Sequence, residues 1–516
     1  MTEALDPTMQ APLALIVGLG ETGLASARWC LRQGDRLRVV DTRAEPGGLD
    51  ALRAEGASAG ASVEFVLGDG ALLAGAAEPM LDPRLLDGVA RLVISPGLAP
   101  QRAPAKALVE AATAAGIPVV GEIELFAQAL AALRTDTGYA PRVLAVTGTN
   151  GKTTVTAMTA QLVEASGLSV RAAGNISPAA LTALMEAIDT QSLPQVWVLE
   201  LSSFQLETTR TLAVDAAVVL NLTQDHLDWH DTMADYAAAK ARLLGAARVA
   251  IVNRDDPAVL RMVEKLEDLG VRSFGHDLPV LEGDMGVDHG HGVAWLAESA
   301  DRGFDAEPVK RKKNEIIPRM AGRLNRLMPA DALQIRGAHN VLNAQAALML
   351  ARAIDLSWPS LLRALRAYRG EPHRVEFLRN ITGVDFIDDS KGTNVGATVA
   401  ALDGLGQRVV LIAGGVGKGQ DFSPLVRPVA LHARAVLLIG RDGPVIGEAL
   451  ADTGVPCITL DSLPAAVIAS LDYAQEGDAV LLSPACASFD MFRSYAHRAQ
   501  VFADAVTELA NDKGQV

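Results

Sequence analysis

The sequence is poor in the features that mark secreted, membrane and nucleic-acid-binding proteins. Its three cysteines, Cys30, Cys457 and Cys486, are odd in number and far apart, which argues against a disulfide framework and favours a reducing compartment. No charge-free apolar run reaches the roughly 18 residues that a membrane-spanning helix needs. A net charge of −15 excludes general binding of nucleic acid through phosphate neutralisation.

The first ten residues also lack the basic start and apolar core of a signal peptide. We therefore expect a soluble, cytoplasmic protein with no membrane span and no nucleic-acid partner, and we expect a monomer. The composition, 49% hydrophobic and 21% charged, is that of a folded protein. With 516 residues the chain is too long for one core, so two to four domains are expected.

Short apolar runs alternate with alanine-rich helical stretches along the chain, a βα pattern that predicts parallel sheets. We predict an α/β protein of three domains. These are a Rossmann-like N-terminal unit (1–117), a central unit of the P-loop ATPase type (118–370) and a Rossmann-like C-terminal unit (371–516).

Residues 276–336 interrupt the central unit with weak periodicity and contain the basic run VKRKKNEIIPRMAGRLNR. We interpret this segment as an excursion from the central domain. A solvated charged loop is the simplest interpretation, and a basic docking patch is the alternative.

The sharpest motif is TGTNGKTT, residues 147–154, between an apolar strand and an amphipathic helix. Its glycines let backbone N–H groups turn toward phosphate oxygens, and the helix N-terminus favours an anion. Lys152 can neutralise β- and γ-phosphate charge, and the Thr153 hydroxyl can bind Mg²⁺. Val146 stands where the usual pattern has its first glycine, so the motif departs from the standard P-loop spacing.

Carboxylates and histidines follow two later strands of the same unit. Glu200 ends the strand VWVLE, at the sheet edge where ligand sites of α/β proteins open. The stretch NLTQDHLDWH then brings His226 and His230 four residues apart, a spacing that could bind zinc. A nearby phosphate loop favours Mg²⁺ and oxygen ligands instead, and the histidines could also be structural.

A second glycine motif lies near the N-terminus. Gly18, Gly20 and Gly23 fit G-x-G-x-x-G after a strand, and Asp41 follows about twenty residues on. Taken alone, this pattern predicts an NAD-binding oxidoreductase. The same geometry can hold any diphosphate, so both interpretations stay open at this point.

Seven stretches in order, spread over the central and C-terminal units, carry a family resemblance. They are TGTNGKTT, LELSSFQLETT, NLTQDHLDWH, GAHNVLNAQAA, EPHRVEF, DDSKGTNVGAT and LLSPACASFDMF. Together they resemble the Mur ligase family, and in detail its MurD branch. The resemblance implies an ATP-dependent ligase of peptidoglycan precursor synthesis that joins D-glutamate to UDP-N-acetylmuramoyl-L-alanine through an acyl phosphate. On this reading the N-terminal glycine motif would hold UDP rather than NAD.

The resemblance assigns the catalytic and metal sites residue by residue. The catalytic set would be Lys152, Glu200, His226 and Lys240. Thr153 and Glu200 would bind one Mg²⁺, and His226 would help to bind a second. Lys240 would join that second site as a carbamate formed with CO₂, because an ammonium repels Mg²⁺ whereas a carbamate is an anionic oxygen ligand.

The remaining expected contacts fall at the three substrates. The residues expected at ATP are Gly148, Thr149, Asn150, Gly151, Lys152, Thr153, Thr154, Asn340, Asn343, Arg374 and Asp389. Those expected at the UDP precursor are Thr22, Gly23, Asp41, Thr42, Arg43, Ser95, Gly97, Asn175 and Gln205. Because D-glutamate carries two carboxylates, its pocket should offer cations and hydroxyls. The expected contacts are Lys391, which could instead lie nearer phosphate, with Thr393, Lys418 and Ser488, and with Phe489 or Tyr495 as an apolar wall.

Three other functions stay open. A Mur-type ligase could add a different amino acid, although ELSSFQLE and SPACAS favour the D-glutamate branch. An NAD-binding oxidoreductase would use the N-terminal motif alone. A P-loop ATPase without synthetase activity would hydrolyse ATP without any acceptor.

Overall fold

The structure is a computed structural model that describes residues 11–74, 80–264, 270–290, 292–301, 319–335 and 337–515. The chain forms two compact units. The first unit comprises Met1–Thr147, Gly167–Val218 and Asp235–Ala250, and the second comprises Gly148–Ser166, Val219–Ala234 and Ile251–Val516. The proposed domain boundaries after residues 117 and 370 stay predictions.

The N-terminal region folds as a parallel five-stranded sheet with the strand order β3-β2-β1-β6-β7. Its central strand LALIV is buried throughout, as expected for a parallel strand covered on both faces. The strands are β1 (Leu13–Val17), β2 (Arg36–Asp41), β3 (Val63–Leu67), the small pair β4 (Leu73–Ala74) and β5 (Met80–Leu81), β6 (Val89–Ile94) and β7 (Val119–Val120). The helices are α1 (Glu21–Arg32), α2 (Leu49–Ala59), α3 (Lys106–Ala114) and α4 (Glu122–Thr137).

The central region is built on a nine-stranded sheet of order β16-β15-β14-β13-β12-β11-β8-β10-β9. The strands are β8 (Arg142–Thr147), β9 (Val170–Gly174), β10 (Val196–Glu200), β11 (Val214–Val219), β12 (Ala247–Asn253), β13 (Gly270–Phe274), β14 (Met285–Gly290), β15 (Val293–Ala300) and β16 (Arg323–Pro329). The helices are α5 (Lys152–Glu164), α6 (Ala180–Asp189), α7 (Ser203–Glu207), α8 (Met233–Gly245), α9 (Pro257–Arg261), α10 (Ala338–Ala353) and α11 (Trp358–Ala367).

The excursion at 276–336 corrects one expectation. Its described part is not a charged loop, because β14, β15 and β16 pair antiparallel and extend the sheet. The first four residues of β14 are buried, whereas β15 and β16 consist mostly of half-buried and exposed residues, so no regular apolar repeat marks the extension in the sequence. Much of the basic run (309–318) lies outside the described residues.

The C-terminal region has a six-stranded sheet of order β17-β18-β22-β19-β20-β21, in which the β17–β18 pair is antiparallel and the other pairs are parallel. The strands are β17 (Glu376–Ile381), β18 (Val384–Asp388), β19 (Val409–Gly414), β20 (Ala433–Ile439), β21 (Cys457–Thr459) and β22 (Ala479–Leu482). The helices are α12 (Val395–Gly404), α13 (Val426–His432), α14 (Gly443–Ala449), α15 (Leu463–Tyr473) and α16 (Tyr495–Asp512).

The three parallel-rich sheets confirm the α/β fold class. Among the described residues, no helix is both long enough and apolar enough to cross a membrane.

Candidate active site

The phosphate loop connects β8 to α5, as its sequence predicts. Gly148 and Gly151 both have positive φ, 153° and 83°. A Cβ on Gly148 would lie 2.9 Å from the Leu220 Cβ, and one on Gly151 would lie 2.7 Å from the Asn343 Oδ1, so both positions require glycine. The Lys152 Nζ donates to the carbonyl oxygens of Gly148 (3.0 Å) and Thr149 (2.9 Å), which holds the amine over the loop.

Residues after β11 fix the loop from one side. The Thr149 N–H donates to the Asn221 carbonyl at 3.0 Å, and the Asn150 N–H donates to the Asn221 Oδ1 at 2.8 Å. The Asn221 Nδ2 donates back to the Asn150 carbonyl at 3.1 Å. These bonds hold the loop in one conformation before any ligand binds. Asn221 was missed in the sequence because nothing marks a post-strand asparagine as a loop partner.

Asn394 was also missed, and it binds the other side of the loop. The side-chain amides of Asn150 and Asn394 exchange two hydrogen bonds, at 3.2 and 2.9 Å. Asn394 caps α12 by accepting from the Ala397 N–H, and its Nδ2 also reaches the Asp225 Oδ2 at 3.3 Å. The signal that could have found it is an asparagine directly before a helical stretch in GTNVGAT.

Beside the loop lies a pocket that collects most of the expected nucleotide contacts. Its lining includes the loop residues Asn150, Gly151 and Thr154 and the expected contacts Asn340, Asn343, Arg374, Asp389 and Lys391. The Asn343 Nδ2 donates to the Asn340 Oδ1 at 2.9 Å. Burial raises the pKa of Asp389 to about 7, although the Ser483 hydroxyl donates to its Oδ2. Lys391 also lines this pocket, and whether it contacts D-glutamate or phosphate stays a prediction.

Two of the expected metal ligands, Glu200 and Lys240, are buried. Glu200 is 2% exposed; its Oε1 accepts from the Asn175 Nδ2 at 2.8 Å, and its Oε2 has no hydrogen-bond partner among the described residues. Lys240 is 1% exposed, with its Nζ 3.4 Å from the Thr147 Oγ1 and over the Tyr236 ring. A buried carboxylate oxygen with no partner is what a cation ligand requires.

His226 has a positive φ of 57°, and its Nε2 lies 3.6 Å from the Asp225 Oδ2. His230 is buried against Trp229. Among the residues that the structure describes, three side chains with possible metal-ligand atoms close together occur elsewhere, at His373, Glu376 and Asp388. The zinc alternative at His226 and His230 thus gains no support.

The N-terminal glycine motif opens onto a pocket of about 290 Å³. The lining includes these expected precursor contacts: Thr22, Asp41, Thr42, Arg43, Ser95 and Gly97. Gly23 does not line it. A Cβ there would overlap the Gly18 carbonyl oxygen, so Gly23 packs α1 onto the turn.

Two further expected precursor contacts are engaged inside the first unit. Asn175 binds Glu200, and the Gln205 Oε1 accepts from the N–H and hydroxyl of Ser202 in a capping box that starts α7. Neither residue lines the pocket beside the glycine motif.

The expected amino-acid contacts lie on three loops of the second unit, after β18, β19 and β22. The Lys391 Nζ sits 3.7 Å from the centre of the Tyr495 ring. The Lys418 Nζ lies 3.6 Å from the Asp225 Oδ1, and Lys418 has a positive φ of 53°. Ser488 is buried, whereas Phe489 is 75% exposed and so does not form a closed wall in this structure.

The loops after β18, β19 and β22 are tied together by backbone and amide bonds. Val416 and Ala487 exchange two backbone hydrogen bonds. Gln420 accepts from the Val395 N–H and donates to the Gly417 carbonyl, at 3.1 and 2.9 Å. Thr393 follows Lys391 on the first loop, and its N–H donates to the Lys391 carbonyl.

A glycine loop under a lysine, next to a pocket lined by paired asparagines, defines an α/β protein that binds a nucleotide through its phosphates. The sequence matches three family models in chain order. They are "Mur ligase MurD-like, N-terminal domain" over residues 13–121, "Mur ligase middle domain" over 146–295 and "Mur ligase, glutamate ligase domain" over 373–486. The chain belongs to the Mur ligase family. The resemblance seen in the sequence and the three-domain α/β architecture are thereby confirmed.

Similar proteins span almost the whole chain. The UDP-N-acetylmuramoylalanine–D-glutamate ligase of Bordetella parapertussis is 64% identical over 508 residues, which cover 98% of each chain. The protein of the same name from Burkholderia cenocepacia is 56% identical over 511 residues, again 98% of each. Among solved structures, MurF ligase from Thermotoga maritima in complex with ADP has a TM-score of 0.54 at 16% identity, covering 83% of this chain and 91% of that one. At that identity the likeness shows the fold alone.

Proposed function

We propose that this protein is an ATP-dependent ligase that joins D-glutamate to UDP-N-acetylmuramoyl-L-alanine in peptidoglycan precursor synthesis. Support comes from relatives named UDP-N-acetylmuramoylalanine–D-glutamate ligase, which are 56–64% identical over essentially their full length. The single structural observation that carries the proposal is the phosphate loop with the Lys152 amine held over it.

The chemistry follows from the weakness of a carboxylate as an acyl donor. Transfer of the γ-phosphoryl group of ATP to the alanyl carboxylate breaks the bond between Pγ and the bridging oxygen, releasing ADP and leaving an acyl phosphate. The amine of D-glutamate then attacks the acyl carbon and loses its proton, and phosphate leaves with the C–O bonding pair. Such transfer depends on positioning and charge neutralisation more than on covalent catalysis.

Lys152 is the residue that neutralises charge in this scheme. Its Nζ is held over the phosphate loop by hydrogen bonds to the Gly148 and Thr149 carbonyl oxygens, so the amine is already positioned for a phosphate bound there. Asn340 and Asn343 offer amide donors and acceptors to the adenine edge, and Arg374 and Asp389 lie in the same pocket. A solved relative, the Thermotoga maritima MurF ligase, binds ADP, which fits this assignment.

The residues assigned to one Mg²⁺ carry the oxygen donors that this ion prefers. In the first unit the Glu200 Oε2 is buried without a partner among the described residues, and in the second unit Thr153, the second residue of α5, has a hydroxyl. When bound, Mg²⁺ would neutralise phosphate oxygens. His226 is assigned to a second Mg²⁺. Lys240, which is buried, is assigned to that site as a carbamate, because a carbamate would offer anionic oxygens where an ammonium would repel Mg²⁺.

The N-terminal pocket is assigned to the UDP group. The Asp41 carboxylate accepts from the Leu19 N–H (2.7 Å) and from the backbone and guanidinium of Arg43. An NAD site of this pattern uses that carboxylate for ribose hydroxyls. Asp41 is already engaged by these donors, and Arg43 lines the pocket beside it. Because UDP and NAD both carry a diphosphate, the assignment to UDP rests on the relatives and not on Arg43.

Three finer assignments belong to the same proposal. The amino-acid pocket is assigned to Thr393, Lys418 and Ser488, with Lys391 toward the phosphates. The protein is assigned to the cytoplasm, where ATP is available, and the buried free thiols Cys30 and Cys486 suit a reducing compartment. It is assigned as a monomer, which light scattering tests directly.

The test is phosphate release with ATP and Mg²⁺ always present. The four conditions are no acceptor, UDP-N-acetylmuramoyl-L-alanine alone, D-glutamate alone, and both together. Release is expected only when UDP-N-acetylmuramoyl-L-alanine and D-glutamate are both added, and each phosphate should be matched by one amide. L-Glutamate at the same concentration is the control for stereochemistry. Equal release without either acceptor would identify an ATPase and contradict the proposal. Amide formation with another amino acid in place of D-glutamate would identify a sibling ligase.

A further inference from the structure

The C-terminal region contains a fully buried arginine on α16. Arg498 is 0% exposed. Its Nε donates to the Ser390 Oγ (3.0 Å), its Nη2 to the Ser390 carbonyl (2.8 Å) and its Nη1 to the Cys486 carbonyl (3.1 Å). Among the residues that the structure describes, no carboxylate oxygen lies within salt-bridge distance of the guanidinium. Burying a charge against neutral oxygens alone costs free energy, which suggests that the buried Arg498 guanidinium has a function beyond stability.

The three hydrogen bonds connect two loops that carry expected amino-acid contacts. Ser390 directly precedes Lys391 on the loop after β18, and Cys486 lies two residues before Ser488 on the loop after β22. The third loop, which carries Lys418, is attached to the second through the backbone pair Val416 and Ala487. Arg498 therefore fixes the separation of the first and second loops, and the third follows.

Arg498 also sets the start of its own helix against the first loop. The Ser390 Oγ that accepts from Arg498 donates in turn to the Tyr495 carbonyl at 2.8 Å. Tyr495 begins α16, and its ring lies under the Lys391 amine. A change in the guanidinium would thus move Lys391 and its aromatic support together.

The charge of Arg498 matters as well as its shape. Burial lowers its pKa to about 10, against the opposing effect of Cys486 and nearby aspartates, so the group stays charged at neutral pH. A cation held behind the loops stabilises anionic groups in front of them, because water does not screen it there. D-Glutamate brings two carboxylates to this place.

We propose that Arg498 is a positioning residue for the incoming D-glutamate: its buried guanidinium fixes the 390–394 loop relative to the 485–489 loop and supplies positive charge behind both. This inference rests on the proposed function. It gives a role to a residue that touches neither ATP nor the UDP precursor in the pockets assigned to them.

The test is steady-state kinetics of R498K and S390A beside the wild type. Lysine keeps the charge but has one nitrogen, which cannot reach both loops as the planar guanidinium does. S390A removes one acceptor and is the milder variant, should R498K fold poorly. R434K is the matched control, because Arg434 pairs with Asp478 in the same unit but contacts none of the three loops.

We expect the KM for D-glutamate to rise about 10–100-fold in R498K and by a smaller factor in S390A, the size of a lost charge-assisted hydrogen bond. The KM values for ATP and for the UDP precursor should stay within about twofold in both, and R434K should leave all three unchanged. A purely structural arginine would lower activity by reducing the folded fraction, with all KM values intact, and that result would overturn the inference. An unchanged KM for D-glutamate in both variants would overturn it too. A wild-type protein that makes no D-glutamyl amide would instead refute the proposed function.

Discussion

The molecule contains two glycine turns that lead from a strand into a helix, and they do different work. The turn at 18–23 carries no cationic side chain and includes Glu21, whereas the turn at 147–154 carries Lys152. In the first, Gly23 is needed for packing and Gly20 faces open space. In the second, Gly148 and Gly151 are both needed for backbone conformation. Similar sequence patterns therefore form turns with different side chains and different backbone constraints, and we assign the first to binding and the second to phosphoryl transfer.

The partners of each turn make the difference. Asp41 closes over the first turn through the Leu19 N–H and holds Arg43, and these bonds, opposed by burial, lower the pKa of Asp41. Asn221 and Asn394 hold the second turn through neutral amides, which leaves Lys152 as its cation. The first site thus offers a fixed ion pair to its ligand, and the second offers a lysine close to the loop carbonyls.

The largest expected effect is at Lys152. Lys152→Ala should lower kcat about 10³-fold or more, because the charge that builds up on the transferring phosphoryl group loses its nearest protein cation. The measurement is amide product per unit time at saturating substrates. The precursor should still bind with unchanged affinity, since the first turn is untouched.

Lys106→Ala is the control for this change, because Lys106 is a surface lysine at the start of α3. Amide formation at the wild-type rate by Lys152→Ala would show that the second turn is not the phosphoryl-transfer site. The comparison between the two turns would then fail.

The next effect separates packing from ligand approach within the first turn. Gly23→Ala should destabilise the first unit by about 2–4 kcal/mol, because the new Cβ would overlap the Gly18 carbonyl and the backbone must move. Gly20→Ala should change stability by under about 0.5 kcal/mol, since nothing lies within 4 Å of its Cβ and its φ of −86° suits alanine. Thermal unfolding followed by circular dichroism measures both.

Gly20→Ala should nevertheless weaken precursor binding, because that glycine is where backbone approaches a diphosphate in such turns. Equal melting temperatures for the two variants would mean that Gly23 does not pack as described.

Much of this could be read from the sequence, and the reasons are local. Strands such as LALIV and VWVLE are largely apolar runs, which predict buried strands. Gly148 and Gly151 predict a turn before the start of a helix. The roles of Asn221 and Arg498 could not be predicted, because each acts through residues distant in sequence. For Asn394 the sequence could indicate the helix cap but not the bonds to Asn150. The Gln205 Oε1 caps α7, a local hydrogen bond that the sequence analysis did not predict, and the assignment of Gln205 to the precursor stays a prediction.

The excursion shows a second limit. Its strands β14–β16 pair with one another and lie at the edge of the sheet, and half-buried and exposed residues dominate β15 and β16, so the apolar pattern is weak. Charged residues on such strands resemble a loop in sequence. A solvated sheet edge and a solvated loop have nearly the same composition, and pairing is visible only in the fold.

A smaller effect is expected at Arg43. Arg43→Ala should raise the KM for the UDP precursor about tenfold with kcat unchanged, because a charge-assisted contact to the diphosphate is lost. The exposed Arg53, on α2 of the same unit, provides the control substitution Arg53→Ala. An unchanged precursor KM would remove Arg43 from the site. Saturable binding of NADH to the wild type, measured by fluorescence, would indicate that the turn at 18–23 binds a dinucleotide.

The smallest effect concerns two glutamates on α4, which begins close to the first turn. Burial raises the pKa of Glu122 to about 7, with a further contribution from Glu21, and only backbone N–H groups such as that of Leu181 oppose it. Glu124 is also desolvated, but hydrogen bonds from Arg210, Thr211 and Gln128 bring its pKa below the ordinary value. The two side chains therefore couple to folding with opposite signs.

For Glu122 the folded protein binds a proton more tightly than the unfolded chain, whose pKa is near 4.5. The stabilisation is complete below that value and is lost as pH rises toward and through 7, by about 1–3 kcal/mol in all. Glu122→Gln mimics the protonated form, so its melting temperature relative to the wild type should rise between pH 5 and pH 8. Glu124→Gln should be less stable than the wild type by a constant amount over that range, because Glu124 is ionised in both states there. Parallel curves for Glu122→Gln and the wild type would show that the Glu122 carboxyl ionises normally and that its burial costs little.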